Sequence, residues 1–309
     1  MKTAFLFPGQ GSQAVGMGES IFSSFPTAKR TREEADEALG FSLSDVIRNG
    51  PAEKLKATEN AQPAILAVSV AIGRVLIERG IQPTVLAGHS LGEYSALVSA
   101  GALGFADAVR LVRLRGRFMQ EAVPLGQGAM SAILGTEEGL IEEVCRQISA
   151  KGMQVDPANY NCPGQVVISG TKEGVAAAVD LLKQRGAKRC VALEVSAPFH
   201  CSLLKPAADK LRPELEKVEW NDPRIPYIAN VDCAVVRSKG EIIHRLAEQV
   251  WRPVRWTHSL QKIFLEFKPT RVIEVGPGQV VLGHVKKVDD TVERFPSETK
   301  EALEKIPSA

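Results

Sequence analysis

The chain has no CxxC pair, no excess of either charge and no long unbroken apolar run, and each absence removes a class of function. Its 309 residues carry 38 Lys and Arg against 36 Asp and Glu, a net charge of +2. That balance lacks the basic excess with which a nucleic-acid binder neutralises phosphates. The five cysteines (Cys145, Cys162, Cys190, Cys201 and Cys233) show no ligand spacing with histidine. No structural metal is expected, and the thiols read as reduced, as in a cytoplasmic protein. The opening "MKTAFLFPGQGSQ" is too short in apolar residues for a signal peptide, and no run reaches the roughly eighteen of a membrane span, so no membrane contact is expected. There is no internal repeat, and the charged tail from about Lys286 onward reads as weakly structured.

What is present is an alternation of short apolar runs with longer helical patterns. "TAFLF" precedes helix-like stretches at 27–40 and 61–79; "TVLAGH" precedes helices at 91–100 and 105–122. This order predicts an α/β fold with a parallel sheet, to which "RIPYIAN" and "TRVIEVG" add strands. The middle differs: "GAMSAILG", a helix at 137–151, "QVDPANYN", "QVVISGT", a helix at 173–185 and "CVALEVSA" follow the β-α-β-β-α-β order of a ferredoxin-like unit. It starts after the "PLGQG" breaker and ends near "APFH". The expected organisation is a catalytic core of residues 1–124 and 198–309 with a small α+β subdomain, 125–197, inserted into it, and a ligand cleft between the two.

"GHSLGEYSA", residues 88–96, sets Ser90 between two glycines. A bare GxSxG arises by chance in roughly one chain in ten of this length, given ordinary glycine usage. Here it falls between a buried strand and a helix, the context of a nucleophile elbow. Gly88 and Gly92 let strand and helix pass closely, the Ser90 hydroxyl is exposed on a tight turn, and the Leu91 N–H at the helix N-terminus can donate to an oxyanion. The loop "FPGQGSQ" after the first strand lies at the same sheet edge and offers the Gln10 amide as a second donor. It has neither a Walker lysine nor a dinucleotide fingerprint with its acidic partner, so no nucleotide cofactor is expected.

A serine nucleophile needs a base, and histidine is the usual one. His89 adjoins the serine but alternates away from it and reads as a support. His244, His258 and His284 lie at or within helices and read as structural. His200, in the loop "SAPFHC" where the chain re-enters the core, is the best base; Cys201 beside it reads as a packed thiol. In the helix "FADAVRLVRLRGRFMQEAV", Arg115 falls at the centre of the apolar stripe of Ala108, Leu111, Val112, Phe118, Met119 and Ala122, whereas Arg110, Arg113 and Arg117 face solvent. A guanidinium turned inward demands an anion. Either a buried carboxylate pairs with it or it clamps the carboxylate of an acidic substrate; its position one helix beyond Ser90 favours substrate.

These residues lie within "FPGQGSQ", "GHSLGEYSALVSAGAL", "RGRFMQEAVP", "NYNCPGQVVISG", "SAPFHC", "QVWRPVRW" and "EVGPGQVVLG". Taken together, over nearly the whole chain, these segments resemble the malonyl-CoA:acyl carrier protein transacylases of type II fatty acid synthesis. The resemblance implies a hydrolase-like α/β core with a ferredoxin-like insertion. It implies that Ser90 is acylated, His200 is its base, Arg115 clamps the malonyl carboxylate, and the amides of Gln10 and Leu91 form the oxyanion hole. It further implies that the Gln249 backbone carbonyl orients the histidine, that Asn159, Asn161 and Gln10 line the substrate site, and that Phe199 favours malonyl over an α-branched acyl group. The implied partners are malonyl-CoA and acyl carrier protein, the implied state a monomer, and no cofactor is called for. The chain departs from the pattern at Gln279, where lysine is frequent.

Alternatives on the same scaffold are a polyketide acyltransferase acting in trans and an acyl hydrolase, though a hydrolase has no need of Arg115. A non-catalytic carrier-binding module is a third. Lys188 and Arg189 are candidates for contact with an acidic carrier.

Overall fold

Every residue of Thr3–Phe7 (β1) and Val85–Gly88 (β2) is buried, as expected of parallel strands covered on both faces. A computed structural model, describing residues 1–124 and 126–308, shows them side by side at the centre of one sheet. Leu125, the expected first residue of the inserted unit, lies outside the described residues. The sheet is completed by Tyr227–Ile228 (β7), Val235–Val236 (β8), Arg271–Glu274 (β9) and Glu293–Pro296 (β10), in the order β10-β9-β1-β2-β7-β8. All neighbours are parallel except the β7–β8 hairpin.

A second, fully antiparallel sheet is built from Gly128–Leu134 (β3), Val155–Cys162 (β4), Gln165–Thr171 (β5) and Arg189–Ala192 (β6), in the order β4-β5-β3-β6. Helices Glu138–Ser149 and Lys172–Gln184 fill the two crossovers. This is the ferredoxin-like order expected from the alternation of elements, so the fold is a hydrolase-like parallel-sheet core carrying a ferredoxin-like α+β subdomain. Its own apolar cluster, centred on Ile133, Ile141, Val166 and Ile168, is separate from the two clusters flanking the large sheet.

Two readings of the sequence need correction. The segment from Lys286 is ordered structure: the helix Val280–Val288 continues through it, β10 pairs with β9, and Lys300–Glu304 is helical. Sparse but well-spaced apolar residues explain this, since Val292, Leu303 and Ile306 are buried and Arg79 donates to the Leu303 carbonyl at 2.9 Å. The strand expected over "CVALEVSA" stops at Ala192, and the next residues leave the sheet. Ser196 then ties the returning chain to the core, its carbonyl accepting from Gln120 and its hydroxyl 3.0 Å from that of Thr58. Among the described residues one helix, Thr58–Glu78, is by length and composition apolar enough to cross a membrane, and it is buried inside the fold. It is the central core helix.

Glycine geometry sets the distance between the elbow and the sheet. A Cβ on Gly88 would lie 1.9 Å from the Gly92 carbonyl, and one on Gly92 would lie 2.3 Å from the Phe7 carbonyl oxygen. The backbones of β1, β2 and the helix Gly92–Ser99 therefore meet without side chains between them. Gly92→Ala is expected to cost about 3 kcal/mol of unfolding free energy, at the upper end of overpacking penalties; an unchanged urea midpoint would show that this contact is slack.

Candidate active site

The elbow turns between β2 and the helix Gly92–Ser99, and Ser90 sits there at φ 50°, a left-handed conformation uncommon for serine. The strain is over-determined by hydrogen bonds. Ser90 N–H donates to Asn230 Oδ1 at 2.7 Å, the Asn230 side-chain amide donates to Gly88 O at 2.8 Å, and the Ser90 carbonyl accepts from Gln249 Nε2 at 2.7 Å. His200, at φ 58°, is held by a comparable constraint: its Nδ1 lies 2.8 Å from the Gln249 backbone carbonyl.

That contact settles the imidazole tautomer. A carbonyl only accepts, so Nδ1 carries the proton and Nε2 is left as an acceptor. Ser90 Oγ lies 2.7 Å from His200 Nε2 and therefore donates to it. Burial, and then the positive charge of Arg115, push the His200 pKa down to about 3. The imidazole is neutral and its free lone pair faces the serine.

Arg115 is 1% exposed, and the reason is its position on the apolar stripe of the helix Phe105–Glu121. Its Nη1 donates to Gln62 Oε1 at 2.7 Å; its Nη2 donates to Gln249 Oε1 at 2.8 Å and to Ser90 Oγ at 3.1 Å. Among the described residues it makes no ion pair with a carboxylate, and its Nε has no partner. No carboxylate oxygen of the described residues bonds it directly; buried Glu93 is the acid that acts on it electrostatically, from behind the Gln249 amide. The three other arginines of the helix behave as expected in direction, with Arg110 and Arg117 paired to Asp107 and Glu121 at the surface; Arg113 is only partly exposed and covers the Phe41 ring.

Ser90, His200, Arg115, Leu91, Gln10, Phe199, Asn159 and Asn161 all line one cavity of about 780 Å³ between the two sheets. Gln249 stands behind its wall, fully buried. Among the described residues neither the Leu91 nor the Gln10 backbone N–H has a hydrogen-bond partner. A Cβ at Gly9 would lie 2.6 Å from the His89 carbonyl, so the Pro8–Gln10 loop presses against the elbow. No group of His, Cys, Asp and Glu that could hold a metal is found among the described residues. Cys201 is buried, donates to the Pro198 carbonyl, and burial pushes its thiol up to about 12, as befits a packed cysteine.

Some residues of the site go beyond what the sequence suggested. His89 lies 2.8 Å from Asn161 Oδ1 and packs on Trp256, and His284, expected to be structural, forms part of the cavity wall with its Nδ1 unpartnered. Gln62 and Asn230 were missed. A lone glutamine in the apolar stretch 61–79 was the visible sign of the first; Asn230 ends an ordinary strand pattern and carried none.

Comparison with known proteins agrees with this geometry. The acyl transferase domain family matches residues 4–302. The malonyl CoA-acyl carrier protein transacylase of Bacillus subtilis (strain 168) is 50% identical over 303 residues, covering 98% of this chain and 95% of its own. That of Escherichia coli (strain K12) is 49% identical over 290 residues, covering 94% and 93%. Among solved structures, an acyl carrier protein S-malonyltransferase from Vibrio cholerae O1 superposes with a TM-score of 0.95 at 46% identity, covering 98% of this chain and 99% of that one. A malonyl-transacylase in complex with a type II PKS acyl-carrier protein gives the same score and identity, covering 98% of both chains. The chain belongs to the acyl transferase domain family and, within it, to the malonyl CoA-acyl carrier protein transacylases.

Proposed function

We propose that this protein moves a malonyl group from malonyl-CoA to the phosphopantetheine thiol of acyl carrier protein, through an ester on Ser90, and so supplies malonyl carriers for fatty acid synthesis. The observation that carries the reading is the buried guanidinium of Arg115, with no carboxylate bonded to it among the described residues, donating to the same hydroxyl that donates to His200. Buried cations are costly unless paired, so a site of this kind is completed by an anionic ligand. A malonyl thioester brings a carboxylate to the arginine and its reactive carbonyl to the serine.

In the reaction, Ser90 Oγ attacks the thioester carbonyl as His200 Nε2 takes its proton. The tetrahedral oxyanion is held by the Gln10 and Leu91 N–H groups. Collapse breaks the C–S bond, and His200 returns the proton to the departing CoA sulfur. The carrier thiol then attacks the malonyl-serine while His200 accepts the thiol proton, and the second collapse releases malonyl-carrier and gives the proton back to Ser90. The Gln249 carbonyl keeps the imidazole in its working tautomer throughout. All these groups belong to one chain, which fits a monomer, and five free cysteines fit the cytoplasm. Phe199 on the cavity wall favours the unbranched acyl group.

The electrostatics favour a carboxylated substrate twice over. The Arg115 charge is the second cause, after burial, of the weak basicity of His200. A malonyl carboxylate on Arg115 offsets that charge, so the base strengthens when the right acyl group is bound. Before substrate arrives, imidazole nitrogen NMR shifts of His200 are expected to stay those of the neutral ring down to about pH 5, well below the ordinary value. A midpoint near 6.5 would show that the ring is hydrated and unaffected by Arg115.

The reading is tested by intact-mass spectrometry after brief exposure to malonyl-, methylmalonyl- and acetyl-CoA. One malonyl group is expected on the native chain and none on Ser90→Ala. A hydrolase would hold little label and a binding module none. Arg115→Ala is expected to slow malonyl labelling on the order of 10²- to 10³-fold, as when one partner of a buried charge pair is truncated, while acetyl labelling rises. Unchanged preference for malonyl would remove the clamp. His200→Ala is expected to slow labelling by roughly 10²- to 10⁴-fold, the range for a lost general base.

A further inference from the structure

Gln249 bonds to the serine, the histidine and the arginine alike. Its backbone carbonyl accepts from His200, its Oε1 accepts from Arg115 Nη2, and its Nε2 donates to the Ser90 carbonyl. An amide can also sit with oxygen and nitrogen exchanged. In that orientation an NH₂ would face the guanidinium donors, and an oxygen would face the Ser90 carbonyl. What holds the working orientation is a second acceptor on the nitrogen side: Glu93 Oε2, 2.9 Å from Gln249 Nε2.

Glu93 lies in the first turn of the elbow helix, three residues past the serine, and is completely buried. The same Oε2 accepts from the Asn230 backbone N–H at 3.2 Å. It thereby also anchors the residue whose side chain bonds Ser90 N–H and Gly88 O on the strained turn. Its other oxygen has no partner. It makes no ion pair with Arg115 among the described residues; the Gln249 amide stands between the two. A fully buried carboxyl with no ion pair among the described residues is costly. Its surroundings give it a task in the site.

We propose that Glu93 is a positioning residue for acyl transfer, its buried carboxyl fixing the Gln249 side chain and the Asn230 backbone so that serine, histidine and arginine stay in mutual register. The inference rests on the transfer reaction proposed above. It concerns the hydrogen-bonding reach of the side chain, not its charge. Burial pushes the Glu93 pKa up to about 7, against hydrogen bonds from Gln249 and Asn230, and with Asp232 and Arg115 as the nearby charges. Protonated on Oε1 or ionised, the group still offers Oε2 as the acceptor.

Glu93→Gln and Glu93→Asp separate reach from charge, because glutamine keeps the length and loses the charge, whereas aspartate keeps the charge and falls short by one methylene. Single-turnover acylation of Ser90 is measured with malonyl-CoA and acetyl-CoA, with circular dichroism to establish folding. Glu93→Asp is expected to acylate about tenfold more slowly, within the coupling range of residues in one hydrogen-bond network, and to lose part of its preference for malonyl. Glu93→Gln is expected to recover most of that loss. Gln249→Leu, which keeps the backbone carbonyl, should be at least as slow as Glu93→Asp, and the double variant should be slower than Gln249→Leu by less than the Glu93→Asp factor, since only the Asn230 anchor is left to lose. The proposal is overturned if Glu93→Asp matches the native rate and preference, if Glu93→Gln is the more impaired of the two, or if the effects multiply in the double variant. Absence of a malonyl adduct on the native chain would instead bring down the transfer reaction, and this inference with it.

Discussion

A guanidinium shut away from water, with no carboxylate bonded to it among the described residues, is the constraint on which the rest of this site depends. Among the described residues Arg115 donates to neutral oxygens alone, the amides of Gln62 and Gln249 and the hydroxyl of Ser90, and lies over the Tyr94 ring. Neutral acceptors satisfy donors without cancelling charge, so the cation remains a strong attractor for an anion of the right shape. The same charge disfavours protonation of the adjacent imidazole, and it lies beside the serine that would carry the acyl group. Anion recognition, base strength and nucleophile position are thus tied together in one small volume of low polarity.

Holding a cation there requires a rigid frame, and the frame is backbone. Gly88 and Gly92 let strand and helix touch the end of β1, and Gly9 lets the first loop rest on the elbow. Ser90 and His200 both occupy left-handed conformations that side chains disfavour. Each costs on the order of 1–3 kcal/mol, sustained because surrounding hydrogen bonds leave no alternative. The price of that strain is met by Asn230 and Gln249, which bond the backbone of the elbow from behind. The ferredoxin-like sheet contributes the facing wall of the cavity through residues such as Asn159 and Asn161.

Much of this was legible in the sequence because it depends on local patterns. The strand–GxSxG–helix context located the elbow, the breaker-bounded β-α-β-β-α-β order located the small sheet, and helical periodicity alone turned Arg115 inward among Ala108, Leu111 and Val112. The gaps share a physical cause. The order of the C-terminal segment depends on a few apolar residues, Val292, Leu303 and Ile306, finding partners far away in the chain. Composition makes such a segment look disordered. The cavity roles of His89 and His284 depend on which way a ring turns in three dimensions. Asn230, Gln62 and Glu93 act through hydrogen bonds to residues dozens of positions away, and no spacing announces those. Glu93 was in plain view inside the elbow motif, yet only its burial and its bond to Gln249 reveal that it faces the site.

The absence of an acidic third partner for His200 follows from the same charge logic. In many serine enzymes a carboxylate orients the imidazole and stabilises its protonated form. Here a carboxylate at the position of the Gln249 carbonyl would lie close to an unpaired guanidinium. The two would attract strongly in a medium of low polarity, and Arg115 would then be neutralised before any substrate arrived. A backbone carbonyl fixes the tautomer through one hydrogen bond and adds no net charge. Glu93, the nearest acid to the network, is kept apart from the arginine by the Gln249 amide and has its pKa raised towards neutrality by burial. On the proposed reading, a neutral partner for the histidine leaves the arginine available to a substrate carboxylate next to the serine.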